Sequence, residues 1–247
     1  MAILRLILFA FSTLGTFELI RFVSRDKVNI YFLPSLTIAF QVSFLFIAGL
    51  LNFLRYATLF LYLLGFAFLV FRIVKAKGVS FIKSYLNAGY IVLALWLVVL
   101  AIYLKGKIFA HYDNFSHWAL VVRQMLQTNR YPNFQDVIIG FQEYPLGSST
   151  YIYYFAKLVS PSESVQMLAQ AYMLLCAMLP LFYFARKNQI LNAVCVISFM
   201  NYIMLYDIKV TDLLVDTLLP LVAVCALLFV YIHCKDGEKI SLYFSAL

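Results

Sequence analysis

The chain has 247 residues, of which 64% are hydrophobic and 12% charged, with a formal net charge of +8 and a mean hydropathy of +0.91. Soluble domains carry about 25% charged residues, so this composition excludes a water-covered globule and points to lipid as solvent. The lysines and arginines are scattered between apolar runs, which suits membrane orientation and argues against a nucleic-acid partner.

Apolar runs fall at 3–20, 31–51, 56–74, 85–104, 164–184, 190–206 and 210–232. Each is long enough to cross about 30 Å of hydrocarbon, some with tilt. The first run lacks a small-residue cleavage site after a short core and reads as a retained span. A further run, 240–247, reads as the start of a span continued in a longer protein. The expected fold is all-α, a polytopic transmembrane helical bundle. Residues 1–84 supply three N-terminal spans, and 85–247 form a core around one long polar segment, 105–163. Cys176, Cys195, Cys225 and Cys234 have no CxxC spacing and read as free thiols.

Alternate loops collect the basic residues: Arg21, Arg25 and Lys27; Arg72, Lys75, Lys77 and Lys83; Arg186 and Lys187; Lys235 and Lys239. The positive-inside rule places these loops in the cytoplasm and the segment 105–163 outside a cell membrane. Asp113, Asp136, Glu143, Glu163, Asp207, Asp212 and Asp216 then lie on or near the outer face. The rule does not require this, because acids contribute little to orientation.

Within the long segment, HYDNFSHW (111–118) follows the fourth run directly. Phe115, Trp118, Val122 and Met125 recur at helical spacing, with Ser116, His117, Arg123, Gln124 and Gln127 mostly away from them. That pattern predicts an amphipathic interfacial helix over 114–128, closed by Asn129 and stopped by Arg130-Tyr131-Pro132. Residues 133–143 read as irregular. The stretch EYPLGSSTYIYYFAKL (143–158) predicts a second short helix, aromatic and half polar, lying in the interface or re-entering.

Asp113 has two readings. It is a helix N-cap, alone or through Asn114, or a carboxylate at the membrane mouth that accepts a proton from an alcohol, with His117 four residues on. His111, Asp113 and His117 leave a divalent metal open, although their spacing is loose and no cofactor is assigned. Further along, YDIKVTDLLVDTLLPL (206–221) spaces Lys209, Asp212 and Asp216 three and four apart, which a helix would gather on one face. On that reading Asp216 lies inside the span, a costly place for a charge, and Pro220 frees its carbonyl.

The phrases YDNFSHWALVVRQMLQTNRYPNF, EYPLGSSTYIYYF and LLVDTLLPL resemble the outer-loop and acidic transmembrane segments of the GT-C superfamily of membrane glycosyltransferases, of the bacterial type that uses polyprenyl-phosphate-linked sugars. The resemblance covers about residues 85–232, with short and degenerate motifs. It implies transfer of a sugar from such a donor to a cell-envelope polymer or lipid acceptor at the outer face. Asp113 would be the catalytic base, Asp212 and Asp216 would shape the same pocket with His117, and Arg123, Arg130 and Lys209 would supply positive charge toward the leaving phosphate. Two other readings stay open: a carrier or exporter of lipid-linked saccharide, and a noncatalytic membrane partner. A transporter should carry polar residues near the midplane of several spans, where this sequence offers mainly Glu18 and Gln41.

Overall fold

In the computed structural model, which describes residues 2–76, 78–140, 143–185, 190–207, 210–237 and 245, every regular element among those residues is helical. The chain is an all-α polytopic helical protein, as its apolar runs predict. Among the described residues five helical stretches are long and apolar enough to cross a membrane: Ile3–Val23, Ile30–Leu50, Leu54–Lys75, Glu163–Ala185 and Leu218–Lys235. Two expected spans are shorter apolar helices, Ala88–Tyr103 and Ile190–Leu205. The expected eighth run lies outside the described residues except for Ser245, as do Lys77, Arg186, Lys187, Lys209 and Lys239.

Helix α1 (Ala2–Val23) packs along α3 (Leu54–Lys75) rather than along α2 (Leu33–Leu50) alone. Glycines permit the approach: a Cβ on Gly15 would stand 1.8 Å from the Gly65 carbonyl oxygen, and one on Gly65 would stand 2.2 Å from that of Ser12. Small residues at the crossing let backbones touch where lipid gives no hydrophobic drive for association. Ser12 Oγ donates to the Tyr62 carbonyl at 2.8 Å across the same seam.

Glu18 sits on α1 near this crossing, fully buried. The sequence offered it no evident partner; the structure gives it three. Arg72 Nε and Arg21 Nη1 donate to its two carboxylate oxygens at 2.6 and 3.0 Å, and Tyr85 Oη donates at 2.5 Å. Arg21 also pairs with Asp26 at 3.0 Å. This network ties α1 and α3 to the 3₁₀ turn Ser80–Tyr85 that precedes α4 (Ala88–Tyr103), so two basic loops meet at one end of the bundle.

Helix α5 (Ala119–Thr128) continues from a π-helical turn at Asn114–Trp118 and closes on Asn129, which adopts the left-handed conformation expected of a helix stop. Two placements differ from the predicted amphipathic pattern. Phe115 is exposed and His117 is buried, because the wider π turn shifts the register of 114–118 against that of an α-helix.

Helix α6 (Gly147–Leu158) packs among α1, α2, α5 and α7 (Glu163–Met178), with Ser149 through Ala156 all buried, so its predicted half-polar face is enclosed by protein. Its tyrosines meet protein partners: Tyr151 stacks on Tyr172 with centroids 6.2 Å apart, and Tyr153 Oη donates to Asn129 Oδ1 at 3.0 Å. Helix α7 is the most enclosed span and tightens into a 3₁₀ segment, Leu179–Ala185, at Pro180. Proline has no N–H for the carbonyl four residues back. Ser35 Oγ donates to that Cys176 carbonyl instead, at 2.6 Å.

Helix α8 (Ile190–Tyr202) meets α4 through Trp96 Nε1, which donates to Asn201 Oδ1 at 3.1 Å. Helix α9 begins only at Leu218 and runs to Asp236. The predicted span from 210 is therefore shorter at its start. Pro220 stands in the first turn of α9, between Leu219 and Leu221, whose N–H groups donate to the Val215 and Thr217 carbonyls; its missing N–H withholds the corresponding bond from the Asp216 carbonyl. Described residues between 210 and 217 form a non-helical strap, so Asp212 and Asp216 do not share a helix face.

Candidate functional site

The polar octet 111–118 holds the strap. Asn114 is fully buried, and its Oδ1 accepts the Leu213 N–H at 2.9 Å. Its Nδ2 lies 3.5 Å from both the Thr211 carbonyl and Asp212 Oδ1. From the other side, Gln170 Nε2 on α7 donates to the Leu214 carbonyl at 2.7 Å. A backbone segment without its own helix must send its polar groups somewhere, and these two amides take them. Asn114 was legible in the sequence only as a possible cap. Its partner lies 99 positions away, a pairing that no local pattern displays.

The strap delivers Asp216 to a groove of about 490 Å³. One wall is α2, from Ser35 to Ser43, a stretch of about 12 Å along the helix. The facing wall is α9, through Val222, Cys225, Ala226 and Phe229, with Met173 and Ala177 of α7 as the floor. Trp118, Tyr144, Ser148 and Asp216 gather toward one end, where the long polar segment meets the bundle. Asp216 is exposed and is the one charged side chain among the described lining residues. His117 lies behind the two aromatics, edge-on to Trp118 at 4.6 Å and to Tyr144 at 4.9 Å. Burial lowers its pKa and favours the neutral imidazole.

Asp113 is not a helix cap. It has helical backbone angles, and its side chain makes no capping hydrogen bond. His111 Nδ1 lies 3.3 Å from the Asp113 N–H and 3.5 Å from Asp113 Oδ2. The Asp113 side chain is 45% exposed and so reaches solvent beside His111. It is not part of the groove lining described above.

Asp212 is buried beside Asn114, and its Oδ2 has no hydrogen-bond partner among the described residues. Arg123 faces a separate cavity of about 190 Å³ and pairs loosely with Glu163, at 3.6 Å. Arg130 forms a two-pronged pair with Asp136, at 2.7 and 2.9 Å. Neither arginine lines the groove, and Lys209 lies outside the described residues. The structure thus joins Asn114, Asp212 and Asp216 through the strap, sets His117 behind the groove, and leaves Arg123 and Arg130 in pairs of their own. Among the described residues no three His, Cys, Asp or Glu side chains form a metal-holding group.

Comparison of the chain with protein-family models, curated proteins and solved structures gives no match.

Proposed function

We propose that the chain is a membrane glycosyltransferase that moves a sugar from a polyprenyl-phosphate donor to an envelope glycan or lipid acceptor at the outer face of the cell membrane. The observation that supports this reading is the groove between α2 and α9, apolar along its length and carrying a carboxylate and two aromatic rings at one end. An isoprenoid tail needs a dry channel open to lipid, and the head it carries needs polar groups where the channel meets water. Ser43 and Ser148 offer hydroxyls toward that head, and Trp118 and Tyr144 offer ring faces to a sugar. The acceptor hydroxyl must lose its proton as it attacks the anomeric carbon. Asp216 in the groove is one candidate base, and solvent-exposed Asp113, outside the groove lining, is the candidate that the sequence resemblance implies.

The test is transfer of a radiolabelled sugar from a polyprenyl-phosphate donor by purified protein in lipid nanodiscs. With general-base contributions of about 10²–10⁴ in rate, replacement of the base by Asn should abolish measurable turnover while donor binding persists. Asp113→Asn and Asp216→Asn are compared separately, and normal turnover in both would refute the assignment of a base to this pair. The same groove also suits a carrier of lipid-linked saccharide. That reading predicts donor binding in the parent protein, no transfer, and loss of binding when Ala39→Phe fills the groove.

A further inference from the structure

Residues 131–139 leave α5 as a loop that is rigid at its base and greasy at its tip. Both ends are buried. Tyr131 packs against Gly49 and Phe46 of α2, with its hydroxyl 3.3 Å from the Leu45 carbonyl and 2.9 Å from Thr150 Oγ1. Ile139 is 4% exposed within the main apolar core. Asp136 braces the middle: it accepts both Arg130 prongs, Gln124 Nε2 at 2.6 Å and the Asn133 N–H at 2.8 Å. Backbone bonds from Asp136 N to the Asn133 carbonyl and from Ile139 N to the Asp136 carbonyl fold the chain on itself.

This framework displays Phe134, Val137 and Ile138, which are 85%, 86% and 81% exposed. Water-facing loops do not usually present three large apolar side chains so completely, and an exposed apolar cluster on a fixed support marks an interaction surface. Its position identifies the partner. The loop is seated on the end of α2, beside the α2–α3 turn, where Leu50, Leu51 and Phe53 are also exposed. Those residues end two helices long enough to span, so they mark the level at which hydrocarbon gives way to headgroups. At the base of the loop the Arg130 guanidinium and the Asp136 carboxylate neutralise each other as a bidentate pair, which lowers the cost of bringing them to that layer.

We propose that residues 133–139 are a lipid-binding keel, with Phe134, Val137 and Ile138 inserted at the acyl–headgroup boundary of the leaflet on that side. The keel sets the depth and tilt of the long polar segment against the membrane surface. It stands independently of the enzymatic reading and of which side of the membrane the segment occupies.

The experiment uses the full chain in nanodiscs of phosphatidylethanolamine and phosphatidylglycerol. Exposed Cys195 and Cys234 are replaced by serine, and nitroxide labels are placed one at a time through Phe134→Cys, Val137→Cys and Ile138→Cys. Gln135→Cys on the same loop and Ile47→Cys on the exposed face of α2 serve as references. Paramagnetic relaxation by molecular oxygen, which concentrates in lipid, is compared with relaxation by a water-soluble nickel chelate. The expected oxygen-to-nickel ratio at 134, 137 and 138 is several-fold above that at 135 and close to that at 47. Ratios like that at 135 would place the tip in water and overturn the proposal. Low access to both reagents would mean that protein covers the tip, a second copy or another chain, and would overturn it equally.

Discussion

Glu18 and Asp216 are acidic residues at opposite ends of the bundle, and their surroundings differ in kind. Glu18 is fully buried, and both its oxygens are met by donors from Arg21, Arg72 and Tyr85. Asp216 is exposed along a groove, and its neighbour Asp212 keeps one buried oxygen unmet among the described residues. A buried charge survives only if its hydrogen bonds are satisfied, so the Glu18 network has no capacity left for a ligand. The strap region has such capacity: its backbone is held by amides from other elements, Asp216 is exposed, and Asp212 keeps one oxygen unmet among the described residues. Among these acidic groups, the saturated one belongs to the scaffold and the accessible one to the candidate site.

The sharpest way to break this contrast is Glu18→Ala. Removing one partner of a buried network leaves two guanidinium groups facing each other, and the expected loss is about 3–5 kcal/mol. Thermal unfolding in nanodiscs reads it. A loss below about 1 kcal/mol, the range of surface pairs, would put Glu18 in the same class as the exposed acids. Asn114→Ala is next. It strands the buried Leu213 N–H, at an expected cost of about 1–3 kcal/mol, and also releases the strap that carries Asp216. Donor binding should therefore weaken more than stability falls, and equal loss of both would make Asn114 a scaffold residue only.

A smaller effect concerns Asp136. The Arg130 guanidinium first, and the Asn133 N–H as well, hold its carboxyl below the usual carboxylate range. A depressed folded pKa contributes stability that is fully present above the unfolded value, about 3.9. That contribution is lost as pH falls through the folded value. A nitroxide at Val137 should stay immobile at neutral pH and gain mobility under acid below about pH 4, with Asp136→Asn mobile at both. A label already mobile at neutral pH would show that Asp136 does not brace the loop. The smallest effect belongs to Arg123→Ala: the side chain is 60% exposed and its guanidinium is 3.6 Å from Glu163, so the expected change is below about 1 kcal/mol.

The all-α bundle was legible because hydrocarbon thickness imposes a length on apolar runs, and five helices honour it. Asn129 was legible as a stop because few residues other than glycine accept a left-handed turn. The strap was not. LLVDTLLPL is as apolar as a span, and hydropathy cannot tell that Asn114 and Gln170 will hold its first residues out of a helix. The partners of Glu18 were hidden for the same reason, since Arg72 and Tyr85 join it only through tertiary packing. Tyr151, Tyr153 and Tyr154 read as a half-polar face, and the sequence could not display that α1, α5 and α7 bury all three. Gln41 is buried with neither amide atom bonded among the described residues, and nothing in the structure explains it.

The partners of Glu18 also impose an order on biogenesis. Arg21 lies one helical turn away and travels with Glu18 from the moment α1 forms. Arg72 lies 54 residues later. At synthesis rates of about 5–20 residues per second, α1 waits roughly 3–10 s in the insertion machinery or the bilayer before its second arginine is made. For that interval the local pair alone must keep the carboxylate tolerable in lipid. A chain with Arg21→Leu would therefore fail during insertion, before folding stability is ever tested, while Arg72→Leu would insert and then assemble poorly.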